Sequence, residues 1–304
     1  MNKKGVLLLN MGGPDSIDAV KPFLFNLFKD SNMANFGVLQ KPLAWLIANL
    51  RSKKLRKAYE LIGGKSPLKE ITIKQAYELK KALGDGYSVK VGMNYWHPFI
   101  EEALEEFEKE KINHIIAIPL YPHYCQATSG SVIKRFKRLA ERRFSFKIIS
   151  SWYENPFYIK AWIENIKNSI EKYGEGLVLF SAHGIPLSLY KKGDPYLKET
   201  EQTVRIIVKE MNLAEWQLSF QSKVGPVKWV KPSTEEKIKE LAEKGIKRIY
   251  IVPISFVSDH IETLYEIDIV YKQMANSLGV QLIRVSSLNT SFNFIEALRF
   301  LVLS

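Results

Sequence analysis

Short, nearly continuous apolar runs alternate along this chain with segments whose apolar positions recur every three to four residues. The runs at 5–10, 88–93, 113–119, 145–150, 176–182, 215–221, 247–252 and 280–284 read as buried strands. The stretches at 16–29, 68–83, 98–110, 129–141, 156–173, 194–211, 233–244, 259–277 and 291–303 read as amphipathic helices. Strands without polar alternation, each followed by a helix, belong to parallel sheets covered on both faces. The pattern therefore predicts a doubly wound α/β fold.

The pattern also repeats. Ile112-x-x-Ile115-x-x-Ile118-Pro119-Leu120 returns 134 residues later as Ile246-x-x-Ile249-x-x-Val252-Pro253-Ile254, and the run Gly5 to Asn10 returns after 171 as Gly176 to Ser181. The offsets differ by 37 residues, which places an insertion between the first and third strands of the first half, with Ser31 to Gly64 as the candidate. The expected organisation is a domain over 1–155 bearing a lip insertion at about 31–64, a similar domain over 156–287, and a helix over 288–304 packing back on the first domain. A cleft between the two domains is expected to hold the site. Open α/β sheets bind ligands beyond the carboxyl ends of their strands. The loops there collect unusual residues, among them Asn10-Met11-Gly12-Gly13-Pro14, Asn94-Tyr95-Trp96-His97-Pro98, Ser181-Ala182-His183-Gly184 and the stretch from Ser255 to Glu262.

Composition narrows the chemistry. Apolar residues at 46% and charged residues at 25% are globular values and exclude wholesale disorder. One cysteine, Cys125, excludes an intrachain disulfide, a cysteine-rich zinc site and a cysteine-ligated iron–sulfur cluster. The N-terminus lacks a secretory pattern and no run of 18 apolar residues occurs, so a cytoplasmic protein is expected. No Gly-x-Gly-x-x-Gly follows a strand, and Tyr59 stands where a Walker A loop ending in Gly64-Lys65-Ser66 needs its first glycine. The net charge of +12 points to an anionic partner. Its lysines and arginines are not interleaved with aromatics, so no nucleic acid is expected. Part of the charge is concentrated in Arg51 to Lys57, directly after the apolar stretch Pro42 to Leu50. That juxtaposition reads as a membrane-surface helix, an anion-binding pocket lip, or a short amphipathic helix packed on its own domain.

Asp259, Glu262 and Glu266 share one face of the helix that begins near Ser258. An exposed acidic helix start capped by Ser258 is the plain reading. Its place at a ligand-binding edge of a basic protein adds another, a divalent cation held by oxygens. His183, between the small residues Ala182 and Gly184, would join Glu262 in a borderline-hard donor set for Fe²⁺ or Zn²⁺. His260 is a weaker candidate. Tyr121, Tyr124, Tyr95, Trp96, Trp229, Met11 and Phe256 occupy the same loops and suit a large, flat, apolar ligand.

Taken together, Leu8-Leu9-Asn10-Met11-Gly12-Gly13-Pro14, Gly63-Gly64-Lys65-Ser66-Pro67, Tyr95-Trp96-His97-Pro98-Phe99, Tyr121-Pro122-His123-Tyr124, Ser181-Ala182-His183-Gly184-Ile185-Pro186, Phe220-Gln221-Ser222-Lys223-Val224-Gly225-Pro226 and the run Ser258 to Glu266 resemble the ferrochelatase family, almost end to end. The resemblance implies two Rossmann-like domains, each a four-stranded parallel sheet flanked by helices, around a porphyrin cleft. It implies insertion of ferrous iron into a porphyrin with His183 and Glu262 catalytic. His183, Glu262, Glu266 and Asp259 would handle the metal, and Met11, Tyr124, Trp229, Ser181 and Tyr95 would bind the porphyrin. Three positions depart from some relatives: Asn94 replaces an arginine, Val270 ends the acidic stripe, and C-terminal cysteines for a cluster are absent. Iron is then a substrate and no cofactor is required. Met11 resembles the protoporphyrin-using branch, with coproporphyrin III as the alternative. A non-catalytic haem or tetrapyrrole carrier and a cobalt or nickel chelatase are rival readings. A monomer with peripheral membrane contact through the lip completes the expectation.

Overall fold

A computed structural model describes residues 3–223, 225 and 227–304; Val224 and Pro226 of the Phe220-to-Pro226 motif lie outside the described residues. The first half runs β1 (Lys4–Asn10), α1 (Val20–Lys29), α2 (Gln40–Glu60), α3 (Leu68–Leu83), β2 (Tyr87–Met93), α4 (Ile100–Lys109), β3 (His114–Pro119), α5 (Ser131–Ala140) and β4 (Ser145–Ile148). The second runs α6 (Pro156–Tyr173), β5 (Leu177–His183), α7 (Leu187–Lys191), α8 (Tyr196–Met211), β6 (Trp216–Gln221), α9 (Thr234–Glu243), β7 (Arg248–Val252), a π helix (Glu262–Tyr271), α10 (Lys272–Ser277), β8 (Gln281–Arg284) and α11 (Phe292–Leu303).

The strands form two four-stranded sheets in the orders β2-β1-β3-β4 and β6-β5-β7-β8, and every pairing is parallel. All eight predicted strands are present, and the shared strand order explains the sequence repeat. Val6, Leu7, Leu8 and Leu9 of β1 are wholly buried, as a central strand with helices on both faces requires. Each such side chain contributes roughly 1.5–3 kcal/mol of burial. Two compact units result: one is the chain up to Trp152 together with Ile295–Ser304, the other is Tyr153–Phe294.

The extra chain of the first unit lies in the β1–β2 connection, which holds α1, α2 and α3 where β5–β6 holds α7 and α8. Within it α2 is a 21-residue helix packed against α1. It buries Ala44, Ala48, Ala58 and Tyr59 and leaves Trp45, Leu46 and Leu50 exposed. Local chemistry sets several boundaries. Asn155 caps α6 by accepting from Phe157 N (3.0 Å) and Tyr158 N (3.1 Å), and Ser233 and Glu236 form a reciprocal capping box on α9.

One element departs from the pattern. The stretch 259–277 was expected as a single α-helix, but Glu262–Tyr271 is wound as a π helix before α10 begins. Its buried positions are Thr263, Ile267 and Tyr271, a spacing of four. A helix bonded from i to i+5 turns more slowly per residue than an α-helix, so residues four apart align. Ile267 and Tyr271 enter the apolar core with Leu177, Leu179, Ile249, Ile251 and Leu282.

Candidate active site

In the second unit the site grows from the carboxyl ends of β5, β6 and β7. His183 is the last residue of β5 and pairs in register with Gln221, the last of β6. Its backbone is tied on both sides: His183 N donates to Ser255 Oγ (3.1 Å), and Tyr196 OH donates to His183 O (2.9 Å). Tyr196 and Ser255 also share a hydrogen bond of 2.6 Å, so one buried pair fixes the histidine's place. Gly184 follows because a Cβ there would lie 2.9 Å from Gln221 O and 3.4 Å from Trp229 Cε3. The His183 ring meets Phe256 edge-on at 5.8 Å between centroids, and its buried Nδ1 has no hydrogen-bond partner among the described residues. Burial lowers the pKa of this imidazole, with Glu262 and Glu266 opposing that effect and His260 adding to it. A part-exposed histidine with an orphaned ring nitrogen is a group waiting for a ligand or a proton.

His260 belongs to the site more firmly than its sequence context indicated. Buried against Phe256 at 4.2 Å, it lies 3.0 Å from Ser258 O through Nδ1 and 3.0 Å from Glu262 Oε2 through Nε2. A carbonyl oxygen only accepts, so Nδ1 carries a proton. Nε2, the ring's other nitrogen, faces the Glu262 carboxylate.

The other two carboxylates are committed to the protein. Glu266 Oε1 accepts from Ser222 N (2.9 Å) and Tyr271 OH (2.7 Å); Oε2 accepts from Gln221 Nε2 (3.2 Å) and Ser222 Oγ. Burial and the Glu266 charge together push the Tyr271 phenol upward, keeping it protonated as a donor. Asp259 Oδ1 accepts from Arg284 (2.8 Å), Ser287 (2.8 Å) and Thr263 (3.1 Å), and Oδ2 accepts from Asn289 Nδ2 (2.8 Å). Burial raises the Asp259 pKa, but these partners more than offset it and hold the group below the usual carboxylate range. Asp259, expected as a metal ligand, thus acts as an anchor. Among the described residues no cluster of three or more His, Cys, Asp and Glu side chains is placed to hold a metal ion.

Ser181, expected in a porphyrin wall, is instead wholly buried in β5. Its hydroxyl donates to Gln221 Oε1 (2.7 Å) and lies 2.8 Å from Thr234 Oγ1. Gln221 passes this strut onward to Glu262 O (3.2 Å) and Glu266 Oε2. Sequence reasoning gave Gln221, Tyr196 and Tyr271 no role of their own, because the partners that fix each of them are set by the fold. Trp229 bridges to Pro186 and packs beside Gly184, with its Nε1 unpartnered among the described residues.

The first unit carries its own set. Met11 is half-buried after β1; its N–H donates to Asn10 Oδ1 (2.8 Å), while Met11 O accepts from Tyr95 N (2.8 Å). Gly12 has φ +85°, a left-handed conformation that favours glycine at this turn. Tyr95 is buried, with its hydroxyl donating to Asp30 Oδ2 (2.8 Å) and lying 3.2 Å from Ser131 Oγ. It is a strut of the loop and not a porphyrin contact through its hydroxyl. Asn94 is buried too and donates to Ser131 Oγ (3.0 Å). Tyr124 is half-buried, its OH standing 2.9 Å from where a Cβ on Gly130 would be.

The family model described as Ferrochelatase matches residues 3–304. A ferrochelatase of Aquifex aeolicus is 49% identical over 305 residues, covering 99% of this chain and 98% of the relative. One from a Sulfurihydrogenibium species is 44% identical over 328 residues, with the same coverage of 99% and 98%. In fold the chain is similar to SirB from Bacillus subtilis with Fe3+ (TM-score 0.62, 15% identity, covering 99% of this chain and 94% of that one). It is similar also to CbiX, the terminal enzyme for biosynthesis of siroheme in denitrifying bacteria (TM-score 0.54, 13% identity, covering 99% and 98%). With the family model matching residues 3–304 and relatives 44–49% identical over nearly their whole length, the chain belongs to the ferrochelatase family.

Proposed function

We propose that this ferrochelatase inserts Fe²⁺ into protoporphyrin IX, with His183 and Glu262 as the reacting side chains. The activity of the family is a lyase reaction forming nitrogen–metal bonds, the terminal step of haem biosynthesis. Two pyrrole N–H bonds break, four nitrogens bind one Fe²⁺, and two protons leave, so no other co-reactant is needed. The observation that carries the residue assignment is the orphaned Nδ1 of His183 beside the His260–Glu262 pair. The His183 imidazole takes one pyrrole proton, and the Glu262 carboxylate, beside His260, takes the second and passes it outward. Glu266 and Asp259, saturated by protein donors, shape this segment and leave iron to His183 and Glu262. Such sparse ligation suits a metal that must be surrendered to the macrocycle.

Met11, an apolar side chain at the β1 loop, favours protoporphyrin over a more carboxylated porphyrin at this position. Steady-state rates with protoporphyrin IX and coproporphyrin III test that choice, and a higher kcat/KM for coproporphyrin III reverses it. His183→Ala is expected to lower iron insertion by about 10²–10⁴-fold, the range of a lost acid–base group, while porphyrin still binds. Turnover close to wild type removes His183 from the mechanism, and a wild-type protein that leaves the insertion rate at background makes it a carrier.

No helix of the described residues is long and apolar enough to cross a membrane. The exposed Trp45, Leu46 and Leu50 on α2, with Arg51, Lys53, Lys54 and Lys57 following, nevertheless make a surface suited to peripheral contact with an anionic bilayer. Co-sedimentation with anionic vesicles should exceed that with neutral ones; equal partition sinks the idea.

A further inference from the structure

Wide helices are rare and are stabilised from outside, because their hydrogen bonds are poorer and their packing looser than in an α-helix. The π helix of this chain has an apolar seat, Thr263, Ile267 and Tyr271, and a polar tie through Glu266 to the end of β6. A third tie comes from the carboxyl end of β8. The Arg284 guanidinium donates through one terminal nitrogen to Asp259 Oδ1 (2.8 Å) and through Nε to both oxygens of Asp268 (2.9 Å each), and its other terminal nitrogen lies 2.8 Å from Asp268 Oδ2. Its side chain is only 14% exposed, so solvent screens these contacts little. Asp259 precedes the π helix and Asp268 lies in its second half. His260, Glu262 and Glu266 all fall between them.

We propose that Arg284 is a positioning residue for metal insertion: by gripping Asp259 and Asp268 together it sets the pitch of the segment that presents His260, Glu262 and Glu266. The planar guanidinium fork holds its donors in a fixed geometry toward both carboxylates; a lysine ammonium offers a point charge on a flexible stem without that fixed geometry. Without the cation, two partly buried carboxylates face an empty centre and push the segment apart. The inference rests on the reading of Glu262 and its histidine neighbour as the proton-accepting pair.

The test uses the full chain with Arg284→Gln, Arg284→Lys and Asp268→Asn, the last keeping the Asp259 grip. Three quantities are measured: kcat and KM for protoporphyrin IX with ferrous iron, porphyrin affinity by fluorescence quenching, and hydrogen exchange of amides 262–271. Arg284→Gln is expected to lower kcat by about 10–100-fold, the cost of an ångström-scale misplacement, with KM and affinity for porphyrin within about twofold. Asp268→Asn and Arg284→Lys should fall between it and wild type. Exchange in 262–271 should quicken by about tenfold or more while α8 and α9 are unchanged, marking a local opening. Wild-type kcat in folded Arg284→Gln overturns the proposal, as does a loss of kcat shared equally by porphyrin affinity. Should Arg284→Gln fail to fold, wild-type kcat and exchange in Asp268→Asn overturn it instead. Failure of the underlying reading looks different: His183→Ala then turns over normally while the exchange response to Arg284 variants persists.

Discussion

Gln221→Leu removes a single side chain that links the strand core to the reactive segment, with little change in volume. The amide is almost wholly buried and makes three contacts: it accepts from Ser181 Oγ at 2.7 Å and donates at 3.2 Å to Glu262 O and to Glu266 Oε2. Ser181 keeps a second partner in Thr234, and Glu266 Oε2 keeps Ser222 Oγ, so neither is orphaned. The principal loss is one long hydrogen bond to a charged group, worth about 1.5–3 kcal/mol, and the contact with the Glu262 carbonyl adds little. Leucine returns some apolar burial in exchange. The expected net loss of stability is therefore about 2 kcal/mol, read from the urea midpoint of the full chain followed by tryptophan fluorescence. Because the same amide bears on the π helix, kcat for iron insertion should fall about tenfold with KM for porphyrin unchanged. A loss under about 0.5 kcal/mol together with wild-type kcat would refute the reasoning that Gln221 couples the sheet to the acidic segment.

Two further outcomes follow from the same geometry. Gly184→Ala places a methyl 2.9 Å from Gln221 O, a backbone atom held by the β5–β6 ladder, so a thermal melt should show a loss of about 1–3 kcal/mol and His183 should lose activity with it; an unchanged melting temperature contradicts the contact. Asp30 is pushed up by burial but brought below the usual carboxylate range by donors from Ser131, Asn32 and Tyr95. A depressed folded pKa means its stabilisation is present above the unfolded value of about 4 and is lost as pH falls through the folded value. The stability gap between wild type and Asp30→Asn should accordingly be full at neutral pH and shrink below about pH 4; a gap that widens on acidification rules this account out.

Much of the architecture is written locally. A strand covered on both faces has to be apolar at nearly every position, so Val6 to Leu9 and Ile249 to Val252 announce themselves without any knowledge of their neighbours. The capping box of Ser233 and Glu236 spans four residues and is equally legible. The expected place of the site rests on a general rule about strand ends, and His183 and Glu262 stand out in the loops there by residue type.

The fate of the remaining polar groups was not local. Tyr95 looked like a ligand wall until Asp30, 65 residues away, and Ser131 took its hydroxyl. Ser181 proved to be an interior strut because Gln221 and Thr234 lie across the sheet from it. Asp259 and Glu266 share a helical face with Glu262 in the sequence, yet Arg284, Ser287, Asn289, Ser222 and Tyr271 arrive from other elements and occupy their oxygens. The π winding itself answers to such ties, since the 3.6-residue pattern of the segment carries no trace of it. Sequence determined the sheets, the repeat and the chemical types at the strand ends, because burial and capping act over a few residues. Tertiary structure decided which carboxylates are taken up by protein donors, because those donors come from elements that only the folded chain brings within 3 Å or so.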